Sequence, residues 1–222
     1  NSRPERLLMN RHPYVAIEGP IGVGKTTLAR LLQPELGASL LLEVFEENPF
    51  LKDFYRDRER YAFQTQIFFL LSRYHQQHKA VPKALEKGPL ISDYTFAKDR
   101  IFAHLNLRNE ELALYEQLHA AMAEKIPVPT LVIYLRASLD ALMERIALRD
   151  RPYERNMDRD YLRELSEAYE RFFEQYTQSP VLTLDTDNLN YVRNSDDFNL
   201  VLERVRSALR HAPYQQPLIE MA

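Results

Sequence analysis

Short apolar runs alternate along the chain with longer stretches in which apolar side chains recur at helical spacing. The apolar runs have the length of strands buried on both faces of a sheet, and they cover residues 14–18, 39–43, 89–93, 130–135 and 181–185. The helical spacing occurs in residues 25–36, 59–86, 95–105, 109–125, 138–149, 159–178 and 195–211. Because the two patterns alternate, the sequence predicts an α/β fold, in which a five-stranded parallel sheet is flanked by helices in three layers.

Several residues mark the ends of these elements. Gly37 is the residue type expected just after a helix. Asn109 and Ser138 are predicted to cap the amino ends of the helices that follow them, where acidic side chains also occur. Pro82 is expected to break or kink the long second helix.

The composition is that of an ordinary globular domain. The 222 residues are 45% hydrophobic, so residues 1–222 are expected to form one domain, with an irregular tail over 213–222. A net charge of −3, from 29 basic and 32 acidic residues, argues against a nucleic acid polymer as partner. Cysteine is absent, which excludes disulfides and thiolate metal sites. The apolar runs are too short to cross a membrane and no signal peptide is recognisable, so a cytoplasmic protein without a membrane partner is predicted.

A complete phosphate-binding motif lies between the first predicted strand and the first predicted helix. Residues 19–26 match the pattern G-x-x-x-x-G-K-[ST]. The glycines allow the backbone N–H groups to face phosphate oxygens, Lys25 can reach the β- and γ-phosphates of ATP, and Thr26 can ligate Mg²⁺. The residues predicted to bind ATP are Gly19, Pro20, Ile21, Gly22, Val23, Gly24, Lys25, Thr26 and Thr27.

Further segments are needed to separate kinases from other proteins that share this loop. In order and spacing they resemble the deoxynucleoside kinase family, in particular its bacterial purine-preferring members. The resemblance is carried by Ile-Glu-Gly-Pro-Ile-Gly-Val-Gly-Lys-Thr-Thr at 17–27, Leu-Glu-Val-Phe-Glu-Glu-Asn-Pro at 42–49, Phe-Tyr-Arg-Asp at 54–57, Tyr-Ala-Phe-Gln-Thr-Gln at 61–66, Ser-Asp-Tyr at 92–94, and the stretch from Tyr-Leu-Arg to Arg-Asp-Arg over 134–151. It implies a P-loop NTPase fold with an arginine-rich lid near 149–158. It also implies transfer of the γ-phosphoryl group of ATP to the 5′-hydroxyl of a deoxynucleoside, with deoxyadenosine or deoxyguanosine favoured.

Transfer to a hydroxyl requires a carboxylate that can accept its proton near the γ-phosphate. Glu43 ends the second predicted strand, at the edge where open α/β sheets bind ligands. The resemblance gives Glu43 the same role, as general base for the acceptor. Glu46 and Glu47 remain open as alternatives, and Val44 stands where the family has a proline.

The acceptor contacts are implied mainly by the resemblance. Tyr55 and Glu154 would hold the sugar 3′-hydroxyl, since a phenol and a carboxylate can together donate to and accept from one hydroxyl. Gln66 would contact the base edge with its amide donor and acceptor. Phe96 or Phe45 is available to stack on the base, although aromatic residues at helical spacing more often belong to a core.

The third predicted strand ends in a second carboxylate. Asp93 is predicted to hold Mg²⁺ through water, together with Thr26, although it can also cap the next helix. Tyr94 replaces the arginine usual in the family, which leaves the base preference open, and Lys98 or Arg100 can supply the missing charge. The residues predicted to bind substrate are Glu43, Tyr55, Gln66, Asp93 and Glu154.

Four arginines lie at one helix end and in the following loop: Arg145, Arg149, Arg151 and Arg155. Guanidinium groups stabilise charge on transferring phosphoryl oxygens, and a closed lid excludes water. The alternative is a solvated basic helix end, which the helix dipole favours. The residues predicted to be catalytic are Lys25, Glu43, Arg145, Arg149 and Arg151.

Two other functions remain open. A nucleoside monophosphate kinase, such as a thymidylate kinase, needs an arginine for the acceptor phosphate beside the third strand, where this chain has Tyr94. A regulatory P-loop switch needs an Asp-x-x-Gly segment after a strand, which is not found. The resemblance also predicts a homodimer, to which Leu112, Leu118 and Met122 would contribute.

Overall fold

The sheet is built from short and mostly apolar strands. A computed structural model describes residues 12–44 and 48–212. Its strands are β1 (Tyr14–Glu18), β2 (Ser39–Leu41), β3 (Leu90–Ser92), β4 (Leu131–Arg136) and β5 (Val181–Asp185). They pair in parallel in the order β2-β3-β1-β4-β5, and the register sets Ala16 of β1 between Ser92 and Val132. Because β1 lies between β3 and β4, the carboxyl ends of these three strands form the edge at which such sheets bind ligands.

Helices connect these strands and cover the sheet. They are α1 (Lys25–Glu35), α2 (Leu51–Arg56), α3 (Arg58–Leu85), α4 (Lys98–Asn106), α5 (Asn109–Ala123), α6 (Leu139–Arg149), α7 (Arg159–Glu174) and α8 (Ser195–His211). Every residue of β1 and β3 is buried, and so is β4 except for its last residue. These central strands are mostly apolar rather than alternating, as expected for a sheet covered on both faces.

The two faces of β1 belong to different parts of the core. Successive strand residues point to opposite sides of a sheet. Val15 and Ile17 join the larger cluster of buried side chains. Tyr14 and Ala16 pack with Val81 near the end of α3. The predicted α/β fold, with a five-stranded parallel sheet flanked by helices, is confirmed.

Two predicted helix signals are wrong. Pro82 does not break α3, which runs on to Leu85. The proline lies in the last turn, so only the bonding of a helix end is disturbed. Asn109 does not cap α5 from outside, because it is the first helical residue and has a φ of 47°. The position before it, Arg108, is extended, and its side chain makes no capping hydrogen bond.

The other end signals are confirmed. Gly37 has a φ of 56°, in the left-handed region that favours glycine after a helix. The Ser138 hydroxyl accepts a hydrogen bond from the Ala141 N–H at 3.3 Å. The short helix α2 was not predicted, because six residues are too few to show a helical period; it forms where Leu51 and Phe54 are buried against the core.

No helix in the described ranges has the length and apolar character needed to cross a membrane. Some predictions concern residues outside those ranges. They are the irregular tail over 213–222, base stacking by Phe45, and Glu46 or Glu47 as alternative bases.

Candidate active site

The phosphate loop joins the end of β1 to the start of α1. Gly22 (φ 86°) and Gly24 (φ 102°) adopt backbone conformations that side chains disfavour. Helix α1 begins directly afterwards at Lys25, so the unpaired N–H groups of its first turn lie next to the loop. Residues 21–27 line a cleft of about 990 Å³ at the carboxyl edge of the sheet.

Lys25 is held against the loop that precedes it. Its Nζ donates to the carbonyl oxygens of Gly19 at 2.7 Å and Pro20 at 3.2 Å. Burial lowers the pKa of Lys25 to about 8, and the charge of Lys98 acts in the same direction, while Glu18 opposes both. A phosphate group entering the loop would replace carbonyl oxygens with anionic ones as partners of this ammonium group.

A hydroxyl and a carboxylate meet beside Lys25. The Thr26 hydroxyl donates to Asp93 Oδ2, and Asp93 Oδ1 accepts from the backbone N–H of Glu43 at 2.8 Å. Hard oxygen ligands of this kind suit Mg²⁺, which commonly keeps several waters and is shared with phosphate oxygens. Thr26 and Asp93 therefore fit the predicted magnesium position.

Glu43 is clamped by two cations. Its Oε1 accepts from Arg73 Nε at 2.8 Å, and its Oε2 accepts from Lys98 Nζ at 2.6 Å. Burial raises the pKa of Glu43, but Arg73 and Lys98 outweigh burial and hold this pKa well below its usual range. The Glu43 carboxyl group is therefore ionised, and it lines the same cleft as the phosphate loop.

The predicted acceptor contacts line the same cleft. Gln66 is buried on α3, and its Oε1 accepts no hydrogen bond from the described residues. The Tyr55 ring stacks on Tyr153, with ring centroids 6.1 Å apart. Glu154 is buried and accepts from Arg149 Nε at 3.1 Å. Tyr55, Gln66 and Glu154, which were predicted, and Tyr153, which was not, line one cavity with Glu43.

The arginines predicted for the lid do not share one environment. Arg145 donates to Thr186 Oγ1 at 2.8 Å and to the Val23 carbonyl oxygen at 3.3 Å, which joins α6 to the phosphate loop. Arg149 and Arg151 form ion pairs with Glu154, and all three line the cleft. These positions suit contacts to phosphate oxygens or to the donor nucleotide.

Four residues considered from the sequence lie outside the cleft. Tyr94 is fully buried, and its hydroxyl donates to Gln76 on α3. Phe96 stacks on His119, with centroids 4.7 Å apart, and is not available to a base in the cleft. Two arginines pair on the surface instead, Arg100 with Glu116 and Arg155 with Asp150.

The sequence alone did not identify two further parts of the cleft. Arg73 lies two helical turns after Gln66 on α3, and it pairs with both Glu43 and Asp99. The spacing of seven residues places Arg73 and Gln66 on one helix face, which is the signal that could have found it. The loop 186–193, which follows β5 and includes Tyr191, also lines the cleft beside the phosphate loop. It carries no motif that marks it in advance.

Comparison with known proteins agrees with this geometry. A family model described as deoxynucleoside kinase matches residues 15–210. A deoxyguanosine kinase of Bacillus subtilis is 37% identical over 90% of this chain and 100% of its own length. A deoxyadenosine kinase of Lactobacillus acidophilus is 30% identical over 88% of this chain and 96% of its own length.

Solved structures give the same result for the fold. The structure of a deoxyadenosine kinase from M. mycoides with bound dATP superposes with a TM-score of 0.76 at 26% identity. The match covers 88% of this chain and 100% of that one. The similarity therefore extends over the sheet, the phosphate loop and the helices that line the cleft.

Proposed function

The chain belongs to the deoxynucleoside kinase family, and from this premise we propose that it transfers the γ-phosphoryl group of ATP to the 5′-hydroxyl of a purine deoxynucleoside. One observation carries the proposal. The Glu43 carboxylate lies in the cleft that the phosphate loop lines, and its own backbone N–H donates to Asp93, which in turn accepts from the Thr26 hydroxyl. The proposed general base, Glu43, is thus connected to Thr26 of the phosphate loop by two hydrogen bonds through Asp93.

The transfer step uses these groups in order. The 5′-oxygen of the deoxynucleoside forms a bond to the γ-phosphorus, the bond from that phosphorus to the β,γ-bridging oxygen breaks, and ADP leaves. The hydroxyl proton passes to Glu43. Lys25, Arg149 and Arg151, which line this cleft, would balance the charge on the phosphate oxygens. Mg²⁺, which Thr26 and Asp93 would hold, supplies charge neutralisation of the phosphates when bound.

A purine acceptor is supported by the relatives and by the chemistry of α3. The similar proteins include deoxyguanosine and deoxyadenosine kinases. Gln66 presents a buried acceptor without a partner among the described residues, and Arg73, which lines the same cleft, carries guanidinium donors. A purine edge carries both donors and acceptors, so this pair of side chains can satisfy it. Tyr55 and Glu154, which line the same cleft, would bind the sugar hydroxyl.

The test is an acceptor screen. ATP consumption is measured with Mg²⁺ and each of deoxyguanosine, deoxyadenosine, deoxycytidine and thymidine, and in parallel with the four deoxynucleoside monophosphates. We expect turnover with a purine deoxynucleoside and formation of its 5′-monophosphate. Glu43→Gln, which keeps the shape but accepts no proton, should bind ATP normally and lose turnover by about 10²-fold or more. Turnover with monophosphates alone would overturn the proposal.

The remaining expectations are part of the same proposal. We propose one kinase domain over residues 1–222, with its lid near 149–158, acting in the cytoplasm as a homodimer. Leu112, Leu118 and Met122 are partly buried and pack against the core of their own chain. Leu71 on α3 and Leu114 on α5 are the half-exposed apolar side chains of these helices. Sedimentation velocity of the protein and of Leu114→Glu tests the dimer.

A further inference from the structure

A lysine that no motif marks lies at the centre of the cleft. Lys98, in the first turn of α4, is only 5% exposed, and it lines the cavity between Glu43 and Phe102. Its Nζ donates to Glu43 Oε2 at 2.6 Å. An ammonium group has three N–H donors in all. One of these lies on Glu43, the proposed base for the acceptor hydroxyl, which leaves two donors for a group that approaches Glu43.

The fold fixes Lys98 relative to the phosphate loop. The Lys98 backbone N–H donates to Thr95 Oγ1 at 3.2 Å. Thr95 in turn donates from its backbone N–H and its hydroxyl to the fully buried Glu18, at 2.6 and 3.0 Å. The other oxygen of Glu18 accepts from the N–H of Gly19, the first residue of the loop, at 3.3 Å. The start of α4 and the start of the loop are therefore tied to one carboxylate.

Burial of these charges is costly for folding. Ion pairs removed from water often stabilise a protein no more than apolar side chains of the same size would. Lys98, Glu43 and Arg73 are all buried or nearly so, and they pair inside a cleft rather than in the packed core. Charged groups held in this way are characteristic of functional sites.

We propose that Lys98 is a catalytic residue, a second phosphoryl-binding lysine that contacts the oxygens of the group in transfer from the acceptor side while Lys25 contacts them from the phosphate loop. The proposal rests on the proposed function. As the 5′-oxygen bonds to the γ-phosphorus and the bond to the bridging oxygen breaks, the hydroxyl proton moves to Glu43. Glu43 then becomes neutral, and the Lys98 ammonium exchanges it for a phosphoryl oxygen, which conserves charge pairing throughout.

The exchange of partners leaves Glu43 held in place. Its Oε1 also accepts from Arg73 Nε at 2.8 Å, and Arg73 pairs with Asp99 as well. When the Lys98 ammonium turns to the phosphoryl group, Arg73 therefore keeps the Glu43 carboxyl group in position.

Lys98 also replaces a charge that the end of β3 does not provide. Tyr94 directs its hydroxyl to Gln76, away from the cleft. Lys98 follows four residues later and reaches Glu43, whereas Arg100 is 45% exposed and pairs with Glu116. Of the two basic residues in this turn of α4, only Lys98 faces the acceptor site, so Arg100 is a matched control.

The experiment compares Lys98→Met, Lys98→Arg and Arg100→Met in steady-state kinetics, with thermal unfolding to verify folding. We expect Lys98→Met to lower kcat by about 10²-fold, the effect of removing one charge-stabilising group, with the KM for ATP changed less than about threefold. Lys98→Arg should recover at least about tenfold of that loss. Arg100→Met should behave as the parent protein. A Lys98→Met variant that is folded and within about threefold of the parent kcat overturns the proposal.

A double variant separates direct contact from mere positioning of Glu43. If Lys98 acted only through Glu43, adding Lys98→Met to Glu43→Gln would change nothing further. We expect instead a further loss of at least about tenfold, together with weaker equilibrium binding of the product 5′-monophosphate by about tenfold and unchanged binding of the deoxynucleoside. The proposal is overturned if the double variant shows neither the further loss of turnover nor the weaker binding of the product. A parent protein that phosphorylates no deoxynucleoside would defeat the proposed function itself, which is a distinct outcome.

Discussion

At the scale of single residues, Lys25 combines burial with a neighbouring positive charge. Both lower its pKa, to about 8, although Glu18 and Glu43 act against them. Phosphate binding needs the ammonium form, which is lost as the pH rises through this pKa. Since kcat/KM for ATP reports the form of the enzyme that ATP binds to, we expect it to be constant near neutral pH and to fall about tenfold per pH unit well above the pKa.

The measurement is a pH profile of kcat/KM for ATP at a saturating concentration of the deoxynucleoside. Lys25→Arg is the matched control, because a guanidinium group stays charged across the whole range. Its kcat/KM is expected to be lower at every pH but without the alkaline decline. A decline of the same shape in Lys25→Arg would assign the titration to another group.

The site residues differ in how well the sequence predicted them. The phosphate loop is readable because each residue type answers one requirement of a bound phosphate. Asp93 and Glu43 could be placed at one edge because both end predicted parallel strands. The spacing from Gln66 could have placed Arg73 on the cleft face of α3. Its pairing with Asp99 could not be predicted, because that pairing depends on how α3 packs against α4.

At the scale of elements, the phosphate loop depends on its contact with α6. A Cβ atom on Gly22 would lie 2.7 Å from Ile146 Cγ1 and 3.0 Å from the Leu142 carbonyl oxygen, and the φ of 86° disfavours any side chain. We expect Gly22→Ala to lower the free energy of unfolding by about 1–3 kcal/mol. It should also weaken ATP binding, because the loop must move away from α6.

Urea unfolding and a calorimetric titration with ATP check both effects. Gly88→Ala provides the control, since nothing lies within 4 Å of its added Cβ and its φ is not in the left-handed region. That variant should stay within about 0.5 kcal/mol of the parent protein and bind ATP equally well. Equal unfolding free energies for the two variants would contradict this prediction, because they would mean that α6 moves away from the loop at little cost.

Elements with a clear period were predicted well, and their ends less well. Strands β1 and β5 and helix α8 have the predicted bounds, because apolar periodicity and charged first turns agree there. Strand β2 is shorter than predicted, since residues 42–44 leave the sheet to bring Glu43 into the cleft. Helix α2 was missed because it owes its existence to tertiary burial rather than to its own sequence.

At the scale of the whole molecule, alternation of strands and helices predicts a parallel sheet but not the order of its strands. The order β2-β3-β1-β4-β5 follows from packing of entire crossover units. This order brings β1, β3 and the loop after β2 to one cleft, with Lys25, Asp93 and Glu43 along it. The donor end and the acceptor end therefore share one cavity but are formed by different elements.

This division predicts separable stabilisation by the two ligands. A ligand at about 100 times its Kd stabilises the protein by about 2.7 kcal/mol, which for a chain of this size corresponds to a rise in Tm of about 5–10 °C. We expect such a rise with a non-hydrolysable ATP analogue and Mg²⁺, and a separate rise with the preferred deoxynucleoside. Lys25→Met should lose the first rise and keep the second, and Gln66→Ala should do the reverse. Loss of both rises in either folded variant would mean that the two ends of the cleft form only as a unit, because each ligand site would then depend on residues of the other.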